Sequence, residues 1–238
     1  ANNNFKANFL YENLTIQSNI IHSSYLSGVK NLIFLGSSCI YPKKTKQPIK
    51  ESYFMTGPLE ETNDAYSIAK IAGVKMCMEY SKQYKLNYKT LMPANMFGSN
   101  DNYDLKSSHF FPALIKKIHK AKTSGKKSVI LWGNGKPKRE LLYVEDFADA
   151  CVFFMKKKTK ESFINIGSGV EKSIEQFAKY IMKKLKVNLK IKYDLSKPNG
   201  MQRKKLDLKI ANKYGWKAKT KLDKAFIEVY SDYIKSNS

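Results

Sequence analysis

The stretch Asn31-Leu32-Ile33-Phe34-Leu35-Gly36-Ser37-Ser38 decides the fold class. A short apolar run stopped by glycine and two serines reads as a buried strand whose carboxyl end opens into a loop. Upstream, Leu10, Leu14 and Ile21 recur at helical spacing over residues 5–27, and Gly28 stands where a helix C-cap belongs. Downstream, Pro42, Pro48, Gly57 and Pro58 punctuate a polar stretch. Thr62-Asn63-Asp64 then offers a cap and an acidic first turn to a helix reaching about Tyr84, with Ala69, Gly73, Met76 and Tyr80 as its buried stripe. A second strand, Tyr88 to Met92, ends at Pro93 and gives way to an Asn/Gly/Asp-rich loop, Asn95 to Asn102. Helix, strand, helix, strand is the rhythm of a parallel sheet with crossover connections. Ligands of such sheets sit beyond the carboxyl ends of the strands, which directs attention to the loops after Leu35 and Met92.

Beyond residue 105 the pattern is mixed. It predicts a helix near Phe111–Ala121, a strand Val129–Trp132, the turn Gly133-Asn134-Gly135, a strand Glu140–Val144 and a helix Glu145–Lys157. A strand Phe163–Ile166, a helix from Ser173, a strand near Leu189–Tyr193 and a final helix from about Lys221 follow. No strand runs into a GxxGxxG turn and a helix, and Gly167-Ser168-Gly169 comes too late to serve as one. The expectation is therefore an α/β chain: a partial Rossmann-type doubly wound parallel sheet with its first βαβ units missing, about 60 residues, joined to a smaller mixed α/β substrate domain. Residues 1–98, with returns near 140–167, form the dinucleotide-binding half in this reading, and 99–238 form most of the substrate domain. Ala1 falls inside what reads as a loop entering a helix, so a truncated product is expected.

Composition narrows the class. The formal charge of +23 invites a nucleic-acid reading, yet only Arg139 and Arg203 among the 43 basic residues are arginines. Readers of nucleic acid lean on arginine for bidentate contacts, whereas these lysines are spread over every helix as solvated faces. The expectation is no specific nucleic-acid partner; the excess charge can still steer a diphosphate-bearing substrate. The longest apolar runs fall far short of the roughly 20 residues that span a bilayer, so no membrane partner is expected. Cys39, Cys77 and Cys151 are odd in number, widely spaced and free of CxxC, which suggests neither a disulfide framework nor a metal site and fits a cytoplasmic protein.

Tyr66 and Lys70 lie four residues apart and share one helix side. An ammonium near a phenol favours the phenolate, making the tyrosine usable in acid/base chemistry toward a carbonyl oxygen. Ser37, at a strand's carboxyl end, can polarise the same carbonyl. A YxxxK pair by itself arises by chance in so Tyr- and Lys-rich a chain; its place after a strand ending in Gly-Ser-Ser gives it weight.

Gly36-Ser37-Ser38-Cys39-Ile40-Tyr41-Pro42 followed by Tyr66-Ser67-Ile68-Ala69-Lys70 resembles the extended short-chain dehydrogenase/reductases that act on nucleotide sugars. Within that class the chain looks most like the GDP-L-fucose synthase family. Ala1-Asn2-Asn3, Ser18-Asn19-Ile20-Ile21-His22, Met92-Pro93-Ala94-Asn95, Ser108-His109, Trp132-Gly133-Asn134-Gly135 with Arg139-Glu140, and Ser196-Lys197-Pro198 extend the match over nearly the whole chain. The resemblance implies NADPH-dependent epimerisation at C3 and C5 and reduction at C4 of a GDP-4-keto-6-deoxy-D-mannose substrate. It implies Ser37, Tyr66 and Lys70 as the reduction triad, with Cys39 and His109 as base and acid of epimerisation. Leu35, Gly36, Ser37, Ser38, Lys70, Pro93, Ala94, Asn95, Met96 and His109 would line NADP(H). Lys117, Trp132, Arg139 and Asn199 fall where the family contacts the GDP-sugar, with Lys117 in place of a common arginine and Asn199 in place of a common aspartate. A homodimer through the helices at 5–27 and 62–84 is also implied.

The chemistry has its own logic. Hydrogens on C3 and C5 of a 4-keto sugar flank a carbonyl, so their removal gives an enolate that a phenol and a hydroxyl can stabilise. Inversion needs one group to take a proton and another to give one, and a thiol and an imidazole suit those roles. On the residues alone, Cys39 also reads as a small buried hydrophobe, His109 as a helix-start residue, Trp132 as core, and Arg139 as a partner of Glu140. His22 and His119 read as structural. Two alternative functions stay open: another NAD(P)-dependent nucleotide-sugar epimerase or dehydratase, which needs no Cys39/His109 pair, and a non-catalytic basic fragment binding polyanions.

Overall fold

The structure, a computed structural model, describes residues 5–197 and 199–237. Helix α1 (Lys6–Leu26) packs against α2 (Asp64–Tyr84), and α2 lies on strand β1 (Asn31–Leu35). Gly73 makes that approach possible, because a Cβ there would lie 2.4 Å from the Phe34 ring and 2.8 Å from Gln17 Oε1. Gly28 follows α1 at φ +72°, a backbone state that costs an L side chain but not glycine. β1 pairs in parallel with β2 (Asn87–Pro93), and β2 with β6 (Phe163–Ile166), giving the order β1-β2-β6. Helices α2 and α4 (Val144–Lys156) pack on this sheet. Lys89 of β2, fully buried, donates to Phe154 O at 2.7 Å and to Lys157 O, so its charge closes the carboxyl end of α4.

A second sheet is organised by β5 (Lys138–Tyr143). β3 (Asn95–Phe97) runs parallel to its second half, and β7 (Glu171–Ser173) and β9 (Arg203–Lys204) lie on its first half. Alternation along β5 serves two cores: Leu141 and Tyr143 enter one with α3 (Phe110–Thr123), α5 (Ile174–Lys184) and α7 (Leu222–Asn237), while Leu142 enters the other with α4 and β6. β4 (Ser128–Trp132) and β8 (Lys190–Asp194) form a parallel pair beside α3. α6 (Lys209–Lys213) completes the chain's helices among the described residues. At α5 the expected start is a capping box: Ser173 Oγ accepts from Gln176 N and Gln176 Oε1 from Ser173 N.

Four expectations are corrected. β1 is an edge strand with β2 as its one strand neighbour among the described residues, so it is half-buried and Leu35 is 47% exposed. On α2, Ala69 and Gly73 are buried as expected but Met76 and Tyr80 are half-buried; Ser67, Val74 and Cys77 are buried instead, because α2 packs against both the sheet and α1. Asn63 takes the α2 cap position, but its side chain makes no capping bond. The loop after Met92 begins only at Gly98, since Asn95–Phe97 cross to the second sheet as β3. None of the described helices is long and apolar enough to cross a membrane.

Candidate active site

The carboxyl ends of β1 and β2 open into a cavity of about 690 Å³. Gly36, Ser37, Ser38 and Cys39 line one wall, Pro93 to Met96 another, with Tyr66 and His109 facing the same space. Gly36 belongs at this floor, because a Cβ would sit 2.2 Å from Met92 Sδ. The loop carrying Cys39 is a single 3-10 turn, Ser38–Ile40, pinned on three sides. Ser37 Oγ accepts from Cys39 N at 3.3 Å, Ser67 Oγ donates to Cys39 O at 3.1 Å, and Tyr41 Oη donates to the buried Asn165 Oδ1 at 2.6 Å. Cys39 is 8% exposed and still faces the cavity. His109 takes the cap position of α3 without its side chain capping the helix, which leaves the imidazole exposed at the cavity mouth.

Tyr66 sits in the first turn of α2 with Phe9 of α1 edge-on to its ring at 6.4 Å. Burial pushes its phenol up to about 12; the charge of Cys39 adds to this and a hydrogen bond with Ser37 opposes it. This corrects the expected effect of Lys70. The Lys70 ammonium donates to Leu35 O at 3.1 Å and lies 5.8 Å from the Tyr66 ring centre and 5.0 Å from that of Phe34. It therefore faces ring carbon, and burial sets the phenol's proton affinity. Burial lowers Lys70 itself, against the charge of Cys39. Tyr66 is thus a protonated phenol at neutral pH. Of the residues expected around the cofactor, Leu35 and Lys70 stand beside the cavity joined by that hydrogen bond; the others line it.

A second cavity, about 180 Å³, lies on the other side of the start of α3 and brings together Lys117, Trp132, Arg139 and Asn199. The Trp132 ring is 52% exposed, with the ammonium of Lys117 at 5.0 Å and that of Lys197 at 5.8 Å from its centre. It is not core. Arg139 donates to Lys138 O at 2.8 Å and Met201 O at 2.7 Å rather than to Glu140. The Glu140 carboxylate turns inward and accepts from Gly169 N at 2.6 Å and Leu206 N at 2.9 Å. Asn199 Oδ1 accepts from Asn134 N at 2.9 Å and closes the Gly133–Gly135 turn over the cavity. His109 in the first cavity and Phe110 in the second are chain neighbours, so one helix start joins the two spaces.

A family model described as NAD dependent epimerase/dehydratase family matches residues 1–167. The chain belongs to this family. Among curated epimerase/dehydratase relatives, the putative GDP-L-fucose synthase 2 of Arabidopsis thaliana is 45% identical over 236 residues, covering 99% of this chain and 72% of that protein. The GDP-L-fucose synthase of Escherichia coli is 40% identical, covering 99% of this chain and 76% of that one. A solved GDP-L-fucose synthetase from Naegleria fowleri bound to NADP superposes with a TM-score of 0.90 at 27% identity, covering 98% of this chain and 75% of that chain. The α/β fold of this epimerase/dehydratase is therefore of the Rossmann type.

Two charged residues of the first cavity, Asp101 and Lys204, were not singled out in the sequence. Asp101 lies in the loop after β3, where chemistry was expected; burial raises its carboxyl, with a backbone hydrogen bond from Asn102 and the charge of His109 opposing. Lys204 comes from β9, a two-residue strand with no signal in the sequence pattern. His22 and His119 each bond a tyrosine hydroxyl at 2.8 Å, Tyr80 and Tyr230 respectively, as structural residues do. Ala1, Asn2, Asn3 and Pro198 of the matched motifs lie outside the described residues.

Proposed function

We propose that this chain carries out NADPH-dependent conversion of GDP-4-keto-6-deoxy-D-mannose to GDP-L-fucose, inverting C3 and C5 and reducing C4. The observation that carries this reading is the meeting of a thiol, an imidazole, a protonated phenol and a serine hydroxyl in one cavity at the strand ends. Tyr66 and Ser37 stabilise the enolate oxygen, Cys39 takes the proton from the ring carbon, and His109, at the solvent side, returns one. Tyr66 then delivers its proton to the C4 oxygen. A second nucleotide-sugar epimerase or dehydratase reading needs no thiol and imidazole facing the ketone, which favours the fucose-forming one.

The cavity suits the nicotinamide end of the cofactor: glycine at the floor leaves room above Met92, and Lys70 is close enough to the β1 carboxyl end to reach a ribose. Gly36, Ser37, Ser38, Pro93, Ala94, Asn95, Met96, Lys70 and His109 are the residues that would hold it. When bound, NADPH supplies the hydride for C4. For the GDP end, the exposed Trp132 ring offers a stacking face, while Lys117 and Arg139 offer charge to a diphosphate. Mixing the chain with NADPH and the keto sugar, then identifying the product by NMR, tests the reading. GDP-L-fucose is expected; a GDP-6-deoxyhexose that keeps the D configuration counts against it.

We also propose the division into a dinucleotide-binding half, residues 1–98 with returns near 140–167, and a substrate domain formed mostly by 99–238; the two buried clusters on either side of β5 support it. A homodimer through α1 and α2 is the proposed assembly, supported by Tyr11, Ile16 and Ile20 on α1 and Ile68 on α2, each at least half exposed. Sedimentation at twice the 27.3 kDa chain mass is expected, and Ile16→Lys should halve it. Three free thiols support a cytoplasmic location.

A further inference from the structure

The segment around β9 plays no part in the chemistry assigned above, yet it delivers an ammonium into the reactive cavity. Arg203 and Lys204 alternate across β9: Arg203 bonds Glu171 through Nε at 2.8 Å, and Lys204, opposite Arg139 in the parallel register, lines the cavity that holds Cys39. The strand is held in place. Glu140 accepts from Leu206 N at 2.9 Å, Gln47 Oε1 accepts from Lys205 N at 3.0 Å, and Ile49 N donates to Lys205 O at 2.7 Å. Among the described residues the Lys204 ammonium has neither a carboxylate nor a carbonyl partner.

We infer that Lys204 is the positioning residue for Cys39, its ammonium being the counter-charge of the thiolate that takes the sugar's proton. The inference rests on the reading of Cys39 as a base. A thiolate at Cys39, 8% exposed, needs a compensating charge, because burial of an unpaired ion is costly. Lys70 is already committed to Leu35 O, and Tyr66, a neutral phenol, brings no charge. Lys204 is the one lysine or arginine among the described residues that line the cavity, and His109 is taken up as the proposed acid. Burial presses its ammonium below the usual lysine range, the charge of Cys39 works against that, and Arg139 across the ladder adds to it. With Arg139 as a like charge across the ladder and Cys39 on the wall of the same cavity, the ammonium gains a counter-charge when the thiol ionises.

The test uses the free chain, so it does not depend on turnover. Iodoacetamide labelling of Cys39 at one near-neutral pH is followed by peptide mass spectrometry, with the half-buried Cys151 as internal reference. Lys204→Met keeps the stem and removes the charge; it should slow Cys39 labelling by roughly fivefold to tenfold while Cys151 is unchanged. Lys204→Arg should restore the rate to within about twofold. Lys204→Gln is read in the same way should the Met variant fail to fold. Unchanged Cys39 labelling in the uncharged variants overturns the inference, as does an Arg variant as slow as Met. With the keto sugar, the Met variant should lower kcat for proton exchange and leave KM in place; a raised KM with normal labelling assigns the ammonium to the substrate diphosphate and overturns it too. Labelling that follows expectation in a chain that never exchanges sugar protons leaves the couple standing and sinks the proposed function instead.

Discussion

Tyr66→Phe should lower kcat for C4 reduction by about 10²–10⁴-fold, the range typical of losing a positioned proton donor. The substitution removes one oxygen and little else. The ring keeps its edge contact with Phe9 and its place in the first turn of α2, so thermal stability should barely move. What disappears is the hydrogen bond with Ser37 and the proton proposed to reach the C4 oxygen. The direction of transfer follows from the environment: burial holds the phenol near 12, so it is protonated through neutral and mildly alkaline pH and acts as the acid. KM for the GDP-sugar should stay within about threefold, because the proposed diphosphate and base contacts lie in the second cavity, beyond the start of α3. NADPH absorbance in single turnover reads the step directly. A Phe variant reducing the sugar at close to the unaltered rate would remove Tyr66 from the mechanism.

Much of this site was legible in the sequence because its positions are local. A strand that stops at Gly36 puts Ser37 and Cys39 at its mouth, and four residues along α2 put Lys70 one turn from Tyr66; both need only periodicity and turn chemistry. The misses are all tertiary. Edge status belongs to strand order, so the strand Asn31–Leu35 read as buried and is half-buried. The Tyr66 phenol looked like a phenolate because Lys70 is near in sequence, whereas the ammonium turns to Leu35 O and desolvation dominates. β3, β7 and β9 are two or three residues long, too short for any alternation to show, and they exist because β5 offers hydrogen bonds along its length. Lys204 and Asp101 reach the cavity through such pieces, and neither carries a motif. The inward turn of Glu140, which denies Arg139 a neighbour, is set by two backbone amides from distant loops.

Cys39→Ser should separate the two halves of the reaction. Its fold cost is small, since the bonds that hold position 39 are made by the backbone: Cys39 N to Ser37 Oγ and Cys39 O from Ser67 Oγ. A serine hydroxyl gives up its proton far less readily than a thiol, so uptake of solvent deuterium at C3 and C5 should fall by about 10²–10⁴-fold. His109→Asn should show the same loss, because inversion needs both a taker and a giver. Neither change touches the phenol that protonates the C4 oxygen. With the epimerisation base gone, the variant should therefore still consume NADPH and release a GDP-6-deoxyhexose of D configuration, whereas Tyr66→Phe, which removes the C4 proton donor and one of the two enolate donors, should lose reduction and slow exchange together. Retained reduction beside lost exchange marks the thiol and the imidazole, because a general weakening of the cavity would move both activities together. Deuterium incorporation that persists at both carbons in Cys39→Ser would mean that another group abstracts the protons, and the thiol would return to being a buried hydrophobe beside the reactive space.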